Sequence, residues 1–227
     1  MWLRKTVERL TGCLACGDRG AAGARRAPQR DMSAKSRIAL RALIRRLYED
    51  GKGTLMTEYW DLLDENREPL GMLHRRGDAL PAGARHLCVE IITVWNGRIL
   101  TTLRHPQKHN GGYWEVTTGS ALAGEDTRTA AQRELYEETG IKVEKEALIP
   151  FDHVITPRIF SDTYLLILNE EPEITLQSTE TVAYAWLTPA ELLERCRKGM
   201  VIGHLAERFA RYAQMLSEML QKEENHG

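Results

Sequence analysis

The chain has 227 residues, 42% of them hydrophobic and 28% charged, with a formal net charge of −1. That length suits one sizeable domain with or without an appendage, and the near-neutral total gives no reason to expect a nucleic-acid polymer as partner. No apolar run approaches the roughly 20 residues that cross a bilayer as a helix, so no membrane partner is expected either.

The neutral total conceals an asymmetry along the chain. Residues 1–55 carry 13 Lys/Arg against 5 Asp/Glu, and the remainder carries 18 against 27. The first segment is Arg- and Ala-rich and poor in acid, a composition shared with mitochondrial transit peptides. Cys13 and Cys16 form an isolated C-x-x-C with no second pair, so inert thiols are expected there rather than a zinc site. With Cys88 in a strand-like run and Cys196 in a helix-like one, the cysteine usage fits a reducing cytoplasm. Residues 17–33 read as a linker. Next, Ile38, Leu40, Leu43, Ile44 and Leu47 give a short basic amphipathic helix, expected to be solvated. The stretch "EDGKGTLM" is compatible with a purine-rich ribosome-binding sequence ahead of Met56. Translation is therefore predicted to start at Met56 rather than behind a transit peptide. On this reading, residues 1–55 are a basic, partly disordered extension and residues 56–227 are the folded domain.

From Met56 onwards the pattern is that of mixed α/β structure. "EYWDLLDENREPLGML" alternates about a polar turn and predicts a hairpin. "HLCVEIITVW", an Asn96–Gly97 turn and "RILTTLR" predict a second hairpin. "GGYWEVTTGSALAGE" is extended and runs into a small-residue loop. Residues 127–138 predict a helix stopped by Gly140. "LIPFDHVI", "RIFSDTYLLILN" and "VAYAWL" predict further strands. Thr188 and Pro189 then suit the start of a helix, and residues 201–221 close the chain with an amphipathic one. Helices packed on a sheet are the expected architecture.

The chemistry concentrates in "RELYEETGI", residues 133–141. Glu134, Glu137 and Glu138 fall at i, i+3 and i+4 and so share a helical face, where like charges repel. Glu137 and Glu138 also lie near the negative end of the helix dipole. A solvated acidic face with an Arg133–Glu137 pair is one reading. The other is a carboxylate cluster whose cost is removed by a divalent cation. An all-oxygen donor set suits Mg²⁺ or Mn²⁺.

The surroundings favour the second reading. "GSALAGEDTRTAAQRELYEETGI" places Gly119 six residues before Glu125, and Glu125 eight before Arg133. The run resembles the Nudix family signature at every fixed position. The resemblance implies a Nudix fold, an α/β/α sandwich around a mixed sheet. It also implies a Mg²⁺- or Mn²⁺-dependent hydrolase of a small-molecule diphosphate, such as a nucleoside diphosphate linked to another moiety. It assigns Glu134, Glu137 and Glu138 to the metal, with Glu125 auxiliary and Gly119 beside a metal-binding carbonyl. Arg133 is implied to orient the carboxylates. The general base varies in the family, with Glu134 one candidate and Glu180 another. A homodimer is common in the family and is admitted here.

The likeness extends over residues 57–190 and is similar to the branch that contains isopentenyl-diphosphate isomerase. However, Thr118 stands where that isomerase has its cysteine, and Ser120 falls near the position of a metal-binding histidine. A hydrolase is expected rather than an isomerase. A non-catalytic nucleotide-binding module is the third alternative, although no acid of the signature is missing. Arg104 and Lys108 are candidate phosphate contacts. His86 and Trp114 are candidate substrate contacts, with a strand-start polar residue and core packing as their alternatives. Trp186 is expected in the core. Pro157 lies near where ADP-ribose-cleaving relatives often carry a proline, which does not by itself name the substrate.

Overall fold

The computed structural model describes residues 57–224, with side chains to residue 216. The zinc, linker, basic-helix and start-site expectations for residues 1–56 lie outside this range.

Among the described residues, nine strands and three α-helices follow in order: β1 (Tyr59–Leu63), β2 (Pro69–Arg75), β3 (His86–Trp95), β4 (Arg98–Arg104), β5 (Trp114–Glu115), β6 (Thr117–Ser120), α1 (Thr127–Thr139), β7 (Ile149–Ile155), β8 (Ile159–Leu168), β9 (Thr181–Leu187), α2 (Pro189–Arg197) and α3 (Gly203–Glu224). The first hairpin, β1–β2, is a sheet of its own. Its turn is tied by the Asp64 carboxylate, which accepts from the backbone N–H groups of Asn66 (2.8 Å) and Glu68 (2.9 Å). At the second hairpin, Asn96 and Gly97 both have positive φ (47° and 69°). That is the two-residue turn whose twist matches antiparallel strands.

β3 is the spine of the seven-stranded mixed sheet. It runs parallel to β8 from His86↔Ile159 to Trp95↔Leu168, a pairing across a long crossover that contains α1. Its apolar residues are nearly continuous because both faces are covered. Val89 and Ile91 pack under α1 with Leu100, Ala131 and Leu135. Ile92 and Val94 pack under α2 and α3 with Leu192, Leu205 and Phe209. The result is the three-layer α/β/α arrangement. β3 and β4 pair only next to their turn, at Val94↔Ile99 and Trp95↔Arg98. Beyond it, β6 lies beside β3 and β5 beside β4, so the two central strands part company.

The helix boundaries follow local rules. The Asp126 side chain caps α1 by accepting from Thr129 N (2.7 Å), and Gly140 ends it at φ 75°. Thr188 and Glu191 form a reciprocal capping box at α2, with Pro189 in its first turn. Among the described residues, no helix is long and apolar enough to cross a membrane.

Candidate active site

The site is built where α1 lies against β6 and the end of β4. Arg133 is its organiser. Nε and Nη2 donate to Glu125 (3.0 Å to each oxygen), and Nη1 donates to Glu134 Oε1 and Glu137 Oε2 (2.9 Å each). Nη2 also reaches the Ser120 carbonyl, at 3.0 Å. Burial opposes the Arg133 charge, but the Glu125 hydrogen bonds and the nearby carboxylates more than offset this and hold its pKa above the ordinary value. One guanidinium therefore gathers three carboxylates from a loop and two turns of helix.

Gly119 supplies the opposite wall. A Cβ added there would lie 2.0 Å from Glu134 Cδ and 2.1 Å from its Oε1. Its backbone φ is not unusual, so close approach of Glu134 is what requires a glycine at this position. Glu134 is pushed up to about 7 by burial, with Arg133 opposing and Glu137 and Glu58 adding to the rise.

Glu138 points inward from the last turn of α1. It is 6% exposed, and its Oε2 has no hydrogen-bond partner. Burial, then the charges of Glu134 and Glu115, raise its pKa well above the carboxylate range. The end of the helix is satisfied by a neighbouring loop, where Thr175 N donates to Thr139 O (2.8 Å) and Gln177 N to Glu138 O (3.3 Å). That loop leads into Glu180, which is paired with Lys108 and acts electrostatically on both Glu115 and Glu138.

The remaining predicted residues are not held by Arg133. Arg104 is already engaged: Nη1 donates to Glu115 Oε1 (2.6 Å) and Nε to the His109 carbonyl (3.1 Å). His86 is buried and stacks on Trp60, with ring centroids 3.9 Å apart and 11° between planes. Burial takes its pKa down to about 4, so it is neutral at physiological pH. Trp114 alternates to the α2/α3 face, where Arg195 lies over its ring at 4.2 Å; it does not face the carboxylates. Trp186 packs on the α1-side core, edge-on to Trp95. Pro157 sits in the turn between β7 and β8. A cavity of about 420 Å³ opens between Arg67, β7 and β8, and none of its lining residues belongs to the carboxylate cluster.

Two buried acids were not singled out by the motif. Glu90 on β3 is 4% exposed and pairs with Arg208 of α3. Glu115 on β5 is 1% exposed. Burial lifts it to about 7, with Arg104 opposing. The "WE" dipeptide is the only signal in the sequence for Glu115, and only strand pairing reveals its neighbours.

Among the described residues, no three His, Cys, Asp or Glu side chains already surround a cation position. The local chemistry nevertheless fits one. The donors are all oxygen, the Glu138 Oε2 atom is orphaned, and Gly119 leaves its carbonyl next to Glu134 unobstructed by a side chain.

The raised Glu134 pKa has a consequence for stability. A carboxyl titrating near 7 when folded, but near 4.5 when unfolded, helps the fold fully below about pH 4.5 and loses that contribution as pH passes through about 7. The melting-temperature advantage of Glu134→Gln over wild type, both free of divalent cations, is expected to grow between pH 5 and pH 8. Its ceiling is about 3 kcal/mol at about 1.4 kcal/mol per pKa unit. A gap that stays constant across this range would contradict the assignment.

Comparison with known proteins bears on the family and the fold. The NUDIX domain family model matches residues 84–204. An uncharacterised Nudix hydrolase of Listeria monocytogenes is 33% identical over 140 residues, 60% of this chain and 82% of that protein. The isopentenyl-diphosphate Delta-isomerase of Pectobacterium atrosepticum is 29% identical over 147 residues, 59% of this chain and 78% of that one. A crystal structure from Deinococcus radiodurans superposes with a TM-score of 0.59 at 25% identity, covering 68% of this chain and 98% of the other.

Proposed function

The chain belongs to the Nudix family of pyrophosphohydrolases, and from that premise we propose that it hydrolyses the pyrophosphate bond of a diphosphate-linked small molecule with the help of Mg²⁺ or Mn²⁺. Glu134, Glu137 and Glu138, assisted by Glu125 and the Gly119 carbonyl, would hold the cation. When bound, the cation supplies neutralisation of diphosphate charge and an acidified water. The observation that carries this reading is Glu138, a buried carboxylate with an unpartnered oxygen at the negative end of a helix.

The protein's own residues have separable tasks. Arg133 fixes the rotamers of Glu125, Glu134 and Glu137 before any ligand arrives, which limits reorganisation during the reaction. Glu134, held between Arg133 and the Gly119 wall, is one candidate to accept a proton from an attacking water and return it. Glu180 is the second candidate for that role, and Lys108 is paired with it. Arg104 acts through Glu115 rather than as a free phosphate clamp.

The isomerase alternative is not favoured. Thr118 is a β6 residue paired opposite Glu90, and an aliphatic hydroxyl is far too weak an acid to replace a thiol. Among the described residues the thiol beside Ser120 is Cys88, which is pushed up to about 11 by burial. A panel of nucleoside-diphosphate-linked and related pyrophosphates, assayed with Mg²⁺, tests the proposal. Release of two phosphorylated products is expected, abolished by EDTA. Saturable nucleotide binding without turnover would identify a binding module instead.

A further inference from the structure

We propose that Glu115, which lies outside the signature, is a further cation-facing carboxylate of the active site, held in orientation by Arg104. The inference rests on the cation-dependent reading above and extends it to a residue on another element.

Cross-strand partners share a face of a sheet. Glu115 pairs with Thr102, and Thr102 lies two residues from Leu100, which packs in the core beneath α1. Glu115 therefore faces α1, as does Arg104, and its charge acts on Glu138. The two acids come from different elements and share one defect. Glu115 is 1% exposed and Glu138 6%, and each leaves its Oε2 without a hydrogen-bond partner, the Thr118 side chain being only a minor polar influence on Glu115. Arg104 binds only Oε1 of Glu115, and it is itself pinned by the His109 carbonyl. The guanidinium thus aims the carboxylate without satisfying it. The Thr102 hydroxyl, cross-strand from Glu115, is also buried and unpartnered.

Two neighbouring acids, each with an unpartnered oxygen, are expensive to bury in ionised form unless a counter-charge joins them. A small, hard dication satisfies both, since it prefers carboxylate oxygens and needs no hydrogen-bond geometry. The cations of the surroundings are already committed, Arg133 to Glu125, Arg104 to Glu115, Lys108 to Glu180 and Arg76 to Glu58.

The test is a Mn²⁺ titration of the full chain, followed by the electron paramagnetic resonance signal of the free ion. It compares wild type with Glu115→Gln, Glu115→Asp and Glu138→Gln. The expected result is that wild type binds Mn²⁺ and that each Glu115 variant binds at least about tenfold more weakly. Glu115→Asp keeps the charge on Arg104, so it decides the matter if Glu115→Gln does not fold. Wild-type affinity in the Glu115 variants, alongside weakened binding by Glu138→Gln, would overturn the role of Glu115 and leave the site reading intact. Absence of Mn²⁺ binding by wild type at millimolar concentration would overturn both.

Discussion

Glu138→Gln is expected to lower turnover about a thousandfold while raising the melting temperature of the metal-free chain. The two effects have one cause. In the absence of a cation, Glu138 is a buried carboxylate with an unpartnered oxygen beside Glu134 and Glu115. An amide of the same shape cannot ionise, so it removes the cost of burying an acid there whether that acid is charged or held protonated. Relief of one unsatisfied buried group is worth about 1–3 kcal/mol, and a domain of this size gains about 2–4 °C per kcal/mol. The same change deletes a cation ligand. Stabilisation of transferred charge by a bound cation contributes several kcal/mol to catalysis, and about 1.4 kcal/mol is a factor of ten in rate. Thermal melts with and without Mg²⁺, together with kcat on any accepted pyrophosphate, read both signs. Unchanged turnover in this variant would remove Glu138 from the site.

Gly119→Ala is the second large effect, and it separates stability from function in the other sense. The added methyl would meet Glu134 Cδ at 2.0 Å and Cγ at 2.4 Å, so the glutamate has to swing away. Because the obstructing atoms are the far end of a side chain, the fold can accommodate this at about 1–2 kcal/mol. Glu134 would leave its place against β6 and its 2.9 Å contact with Arg133. Displacing a reacting group by about 1 Å costs about a hundredfold in rate. The expected outcome is a soluble, folded variant with kcat/KM reduced about a hundredfold and a modestly lower melting temperature. Near-wild-type kinetics would show that Glu134 does not need its position beside residue 119.

Much of the scaffold is legible because its determinants are local. Asn96–Gly97 announces a tight turn through backbone preference alone, and Thr188, Pro189 and Glu191 announce a helix start through their own hydrogen bonds. The acid face of α1 is equally local, since residues three and four apart must share a side. What stayed hidden depends on contacts distant in sequence. Nothing in "HLCVEIITVW" shows that its partner will be β8, running parallel after a crossover. Trp114 and Glu115 are adjacent, yet alternation sends one to the α2/α3 core and the other to the carboxylates. Which goes where follows from the β4 register, and a two-residue strand carries no periodicity to reveal it. Arg104 reads as a free cation until Glu115 is seen across the ladder. His86 reads as a polar strand end until Trp60, from a separate sheet, is found stacked on it.

The backbone bonds from Thr175 and Gln177 to the end of α1 constrain how this scaffold can be re-engineered. Residues 169–180 join two strands, but they also anchor the turn that carries Glu138 and deliver Glu180 to the opening. Inserting or deleting residues there would disturb the helix end before it disturbed the sheet. New selectivity is therefore best sought by exchanging side chains within this connection while holding its length constant.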